Sequence, residues 1–115
     1  ELKVEVVEKA PRTFVIRTEG DVDLSSSPRL RDAVLSVFDQ ETGHVVVDLS
    51  AVSYMDSSGI ATLVEALRLS RQSNARLTLA AMRPAVESVF ELAYLKQVFE
   101  VAVSVEEALG GGLPA

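Results

Sequence analysis

The chain predicts one α/β domain built on a mixed sheet, with an antiparallel pair of strands first, parallel strands after it, and about four helices packed against them. Three observations carry this. From residue 44 onward, β-branched runs alternate with stretches of helical period, an order that demands parallel strands joined by right-handed crossovers. Before residue 44, two apolar runs are separated only by Lys9-Ala10-Pro11-Arg12, short enough for an antiparallel pair. A length of 115 residues suits a single domain that buries its own core.

The elements follow in order. Leu2, Val4 and Val6 alternate with Lys3, Glu5 and Val7, the pattern of a half-buried strand. A second strand runs from Thr13 to Glu19, and Gly20-Asp21-Val22-Asp23 ends it. Ser27 caps the first helix, with Pro28 at its first position; Leu30, Val34, Val37 and Phe38 form its apolar stripe, and Thr42-Gly43 closes it. His44 to Leu49 reads as a strand buried on both faces. Ile60, Leu63, Val64 and Leu67 make the stripe of a second helix, which stops near Ser73-Asn74. Arg76 to Ala81 is a strand, Arg83-Pro84 opens a third helix bearing Val86, Val89, Phe90 and Ala93, and Val98 to Val103 is the last strand. Ser104-Val105-Glu106-Glu107 has the capping-box spacing and starts a short fourth helix. The domain is expected to occupy residues 1–109, with 110–115 a flexible Gly-rich tail.

Composition removes several function classes. The net charge is −6 and there is no basic stripe, so a nucleic-acid backbone is a poor partner. With no Cys there is neither a disulfide nor a thiolate metal site, which fits a reducing compartment; the expected location is the cytoplasm. No apolar run is long enough to cross a bilayer, and no membrane insertion is expected. A Gly-rich phosphate loop with a following Lys is absent, so nucleotide hydrolysis by this chain is not expected.

The chemistry gathers at Tyr54-Met55-Asp56-Ser57-Ser58-Gly59, where a strand region hands over to a helix. Free amides and the positive end of the helix dipole meet there, a natural seat for an anion. A plain helix cap explains Asp and Ser at such a place equally well. Two adjacent hydroxyls exceed what one cap requires, and the carboxyl edge of an α/β sheet is where ligand sites collect. A nucleophile elbow would need Gly two residues before Ser57, where Met55 stands, and a His base. The only His, His44, opens the strand that Ser57 follows and so lies at its far end. Asp21, Asp23, Asp48 and Asp56 could gather around Mg²⁺, but caps account for the same residues, and no cofactor or metal is expected. Of Tyr54 and Met55, one is expected to face outward and join a partner-binding patch.

Gly20-Asp21-Val22-Asp23, Val46-Val47-Asp48-Leu49-Ser50 and the Tyr54–Gly59 stretch together resemble the STAS domain, and within it the bacterial anti-sigma factor antagonists. Arg83-Pro84-Ala85-Val86 and Phe90-Glu91-Leu92-Ala93-Tyr94-Leu95 fit as well, so the resemblance runs from about Leu2 to Leu109. It implies a partner-switching module without enzymatic activity. An anti-sigma factor that is also a serine kinase binds the antagonist and releases its sigma factor. Phosphorylation of the hydroxyl after the Asp, here Ser57, breaks that complex, and a serine phosphatase restores binding. Ser58 matches the neighbouring Ser/Thr that is not the usual acceptor, and Asp23 an acidic position on the same surface. The implied switch and partner-binding set is Asp23, Tyr54, Met55, Asp56, Ser58 and Gly59 around Ser57. The second helix is less Gly-rich than in many members, and Glu65 and Arg68 bear on which kinase is recognised. STAS domains also act as scaffolds or ligand sensors inside larger signalling and transport proteins. Glu1 in place of Met is compatible with such an excised module, whereas Ser57 favours the antagonist.

Overall fold

The strand His44–Met55, β3, is the axis of the molecule. The computed structural model describes residues 1–110. Around β3 stand β1 (Lys3–Ala10), β2 (Thr13–Val22), α1 (Ser27–Val37), α2 (Ser57–Gln72), β4 (Arg76–Ala80), α3 (Pro84–Leu92), β5 (Glu100–Ala102) and α4 (Val105–Ala108). The five strands lie in the order β1-β2-β3-β4-β5. β1 and β2 are antiparallel, and the remaining neighbours are parallel. The expected mixed sheet with about four helices is what the described residues form, the helices numbering four.

The sheet is covered unequally. One face carries the main core, in which Ile16, Val45, Val47, Leu49 and Leu79 meet Leu30 and Val34 of α1, Leu63 and Ala66 of α2, and Val86 and Phe90 of α3. The other face holds a smaller cluster of Val15, Val46, Ala80 and Ala102 under Ala108 of α4. Val45, Val46 and Val47 are all fully buried, so β3 is enclosed on both faces there, as its unbroken β-branched run predicts. Phe90 and Phe99 meet edge-to-face within the main core, with centroids 5.6 Å apart.

The boundaries differ from expectation in instructive ways. β3 does not stop at Leu49 but continues to Met55, because β2 also continues to Val22 and the two remain paired. Arg17 pairs with Asp48, Glu19 with Ala51 and Asp21 with Tyr54, so β3 takes one extra residue in each of two steps. Two such bulges twist the strand and re-aim its end. Gly20, at φ +122°, supplies a conformation that a side chain would resist. α1 stops at Val37, short of Thr42-Gly43. Phe38 is extended, and the Thr42 hydroxyl donates to the Val37 carbonyl at 2.6 Å, so a polar turn takes over the helix's last acceptor. Its N-cap is Ser26 rather than Ser27. Ser27 is itself helical, with Pro28 next. β5 is shorter than the run Val98–Val103, and Gly110 is described while the remainder of the expected tail lies outside the described residues.

Candidate functional site

β2 and β3 end side by side. Val22 pairs with Met55, and the Asp56 amide donates to the Val22 carbonyl at 3.0 Å. Each strand thus delivers one aspartate, Asp23 or Asp56, to the same edge of the sheet.

Asp56 is the N-cap of α2. Its Oδ1 accepts from the Ser58 amide at 2.9 Å and from the Ser58 hydroxyl at 2.6 Å. Its carbonyl accepts from the Gly59 and Ile60 amides at 3.1 and 3.3 Å. The Ser58 hydroxyl is the main reason the Asp56 carboxyl is held below the usual carboxylate range; desolvation opposes this, and the amides of Ser58, Gly59 and Leu24 reinforce it.

Asp23 is clamped in the same manner. Its Oδ1 accepts from the Ser25 amide at 3.0 Å, the Ser25 hydroxyl at 2.9 Å and the Ser26 amide at 3.0 Å. The Ser25 hydroxyl leads in lowering its pKa, followed by the Ser26 amide. Ser26 ties the turn back to the strand: its hydroxyl donates to the Asp21 carbonyl at 2.8 Å and accepts from the Asp23 amide at 2.9 Å. An Asp-X-Ser turn therefore closes twice on adjacent strands, and the residue in the middle is left exposed each time. In the second turn that residue is Ser57. In the first it is Leu24, 79% exposed.

The two adjacent hydroxyls of α2 are thus unequal. Ser58 is half-buried and its hydroxyl is spent on Asp56. Ser57 is exposed, and its hydroxyl makes no hydrogen bond among the described residues.

The other predicted residues divide. Tyr54 is half exposed beside Asp21, the outward member of its pair with Met55. Met55 is only 2% exposed and packs in the main core, so it cannot reach a partner directly. The two bulges of β3 turn it to the side of Leu49 and Val52. Gly59 turns its open side inward. A Cβ there would lie 2.6 Å from Met55 Cγ and 2.8 Å from Val22 Cγ1. The glycine lets α2 start close against the strand ends; it does not open the backbone to a ligand. Leu24, Ser25 and Ser26 were missed, although the same Asp-X-Ser spacing at the ends of two successive strands was available as a signal.

Two alternative chemistries find no support in this geometry. His44 lies at the opposite end of β3 and its Nε2 is 2.8 Å from Thr78 Oγ1, so no imidazole approaches Ser57. Asp48 sits in the middle of β3, with its Oδ1 accepting from the Ser50 amide at 3.0 Å. Among the described residues no three His, Asp or Glu side chains are placed to share a metal ion. No helix among them is long and apolar enough to cross a membrane.

Comparison with known proteins fits this architecture. The family model described as the STAS domain matches residues 5–108. An anti-sigma-B factor antagonist of Listeria monocytogenes is 30% identical over 111 residues, covering 96% of each chain. The crystal structure of an anti-sigma factor antagonist from Mycobacterium paratuberculosis superposes with a TM-score of 0.85 at 24% identity, over 96% of this chain and 92% of that one. The antagonist SpoIIAA in its unphosphorylated form gives 0.82 at 22% identity, over 98% and 100%. The phosphorylated form of the Bacillus protein gives 0.74 at 22%, over 94% and 97%. At such identities these structures speak for the fold. The chain belongs to the STAS domain family, on the branch of the bacterial anti-sigma factor antagonists.

Proposed function

We propose that this domain is a phosphorylation-switched antagonist that sequesters an anti-sigma factor serine kinase and so frees a sigma factor. Ser57 is the switch. The domain is a substrate of the kinase and of a serine phosphatase rather than an enzyme, it works in the cytoplasm, and it neither binds nucleic acid nor enters a membrane.

The observation that carries this reading is the inequality of the two hydroxyls. Ser57 offers an exposed, unengaged oxygen at the first position of α2, while Asp56 holds Ser58 in place. In the switching step the Ser57 oxygen attacks the γ-phosphorus of ATP in the kinase site. The new O–P bond forms as the bond to the β-phosphate oxygen breaks, ADP leaves, and the hydroxyl proton passes to a base of the kinase. The product carries roughly −1.5 to −2 of added charge. A helix N-terminus tolerates that charge, so the domain stays folded. The cost falls on the complex, where a surface fitted to a neutral hydroxyl now meets a dianion next to the nucleotide's own phosphates. A penalty of about 4 kcal/mol would weaken binding roughly a thousandfold, enough to exchange partners.

Incubation with the cognate anti-sigma factor kinase and ATP, followed by mass mapping, tests the assignment. One phosphate on Ser57 is expected, unchanged in Ser58→Ala and absent in Ser57→Ala. Modification of Ser58, or labelling that survives Ser57→Ala, would overturn it.

A further inference from the structure

Leu24 is the second outward residue of the twin turns. Val22 and Met55, the last residues of β2 and β3, are register partners, so Leu24 and Ser57 each stand two residues beyond that pair. The Asp56 amide donates to the Val22 carbonyl at 3.0 Å, which ties the starts of the two turns together. Leu24 adds nothing to the core: it is 79% exposed. A single exposed leucine is ordinary on a protein surface. This one differs in how it is held, because its neighbours on both sides are fixed by the Asp23 clamp and by the Ser26 bonds to both the Asp21 carbonyl and the Asp23 amide. An apolar group presented on a rigid turn loses little freedom on binding.

The surroundings define the partner's chemistry. Segments 20–28 and 51–67, which build this edge, contain Asp21, Asp23, Asp56 and Glu65 and no Lys or Arg; Glu65 is paired with Arg31 and Arg68, so the three aspartates are what make the edge acidic. Tyr54, half exposed at register with Asp21, gives a second apolar body with a polar tip. A complementary surface has an apolar socket for leucine ringed by basic side chains. It also leaves the point opposite Ser57 to nucleotide phosphates.

Resting on the reading of Ser57 as the switch, we propose that Leu24 is the docking anchor through which the Ser57 kinase recognises this domain, seated in an apolar, basic-rimmed socket beside the kinase's nucleotide site. Leu24 touches no reacting atom. It is a positioning and specificity residue, and it contributes equally to both uses of the surface, sequestration of the kinase and presentation of Ser57.

The test compares the full chain with Leu24→Ala and with Leu92→Ala, a leucine 81% exposed at the end of α3. Binding to the cognate anti-sigma factor kinase with ADP is measured by calorimetry, and Ser57 labelling by steady-state kinetics. Loss of the buried leucine contact is expected to weaken binding about tenfold or more and to raise KM similarly with kcat unchanged. Leu92→Ala should behave as the parent, and both variants should keep the parent's Tm. Equal binding and equal KM for Leu24→Ala, with Ser57 still labelled, would overturn the anchor and leave the switch standing. No labelling of Ser57 in the parent would overturn both. A parent dimer that Leu24→Ala converts to monomer, seen by light scattering, would assign the leucine to a second copy of this chain and likewise overturn the proposal.

Discussion

Gly59 shows how closely the Asp56–Gly59 turn is fitted to the core at the level of single residues. Alanine in an exposed helix position is favoured over glycine by about 1 kcal/mol. Here the added methyl would overlap Met55 and Val22, both buried, at 2.6 and 2.8 Å. Overpacking of that kind costs about 1–3 kcal/mol, which outweighs the helical gain. Gly59→Ala is expected to lower the denaturation midpoint, and a midpoint above the parent's would show that α2 can move away from the strand ends. Asp56, Ser57 and Ser58 were legible in the sequence because a β-branched run turning into a helical pattern locates a helix N-terminus. Which hydroxyl is available was not legible from that pattern, because it depends on the Asp56–Ser58 contact of 2.6 Å. Which of Tyr54 and Met55 faces outward was not legible for a related reason. Core positions run Val45, Val47, Leu49 and then Val52 and Met55, so the alternation shifts phase twice. No count of odd and even residues survives the two bulges.

At the scale of elements, helix type and order follow from periodicity, while ends are decided by tertiary partners. Thr42 ends α1 by taking the Val37 carbonyl, a contact that propensity alone does not reveal. The sheet end opposite the switch makes its own prediction. His44 is held below its ordinary pKa, chiefly by burial and secondarily by the Arg76 guanidinium, with Glu100 opposing. A folded-state pKa below the unfolded value means that the unfolded chain binds more protons in the interval. The associated stability is present above the unfolded value of about 6.5 and is lost as pH falls through the lower folded value. Urea midpoints should therefore decline between about pH 7 and pH 5, and His44→Gln should flatten that decline because glutamine does not titrate. An equal slope in the variant would place the titration elsewhere. The carboxylates of Asp23 and Asp56 act lower on the scale: both are depressed, so their contribution exists above the ordinary aspartate range and vanishes below it.

At the scale of the molecule, the separation of the core from the proposed switch would let the same fold serve two charge states. The main core lies between the sheet and α1, α2 and α3. Ser57 lies at the surface, at the start of α2. The proposed phosphorylation of Ser57 would move the net charge from −6 toward about −8 without placing charge in that core. An acidic domain meeting a basic-rimmed partner should associate more slowly as salt rises, since steering is screened beyond about 8 Å at physiological ionic strength. The succession of strands and helices along the chain, the antiparallel start and the family resemblance all follow from local patterns spread along the sequence. That the two Asp-X-Ser turns are neighbours emerges only when β2 and β3 are laid side by side.

The central claim is that one phosphate on Ser57 changes attachment and leaves the fold alone. Calorimetric affinity for the cognate kinase, measured in parallel with Tm for the unmodified and the Ser57-phosphorylated domain, examines both halves together. The account predicts a loss of affinity of about a thousandfold, corresponding to about 4 kcal/mol, with Tm essentially unchanged. Equal affinity in the two states, or a loss of affinity accompanied by unfolding of the phosphorylated domain, would contradict it.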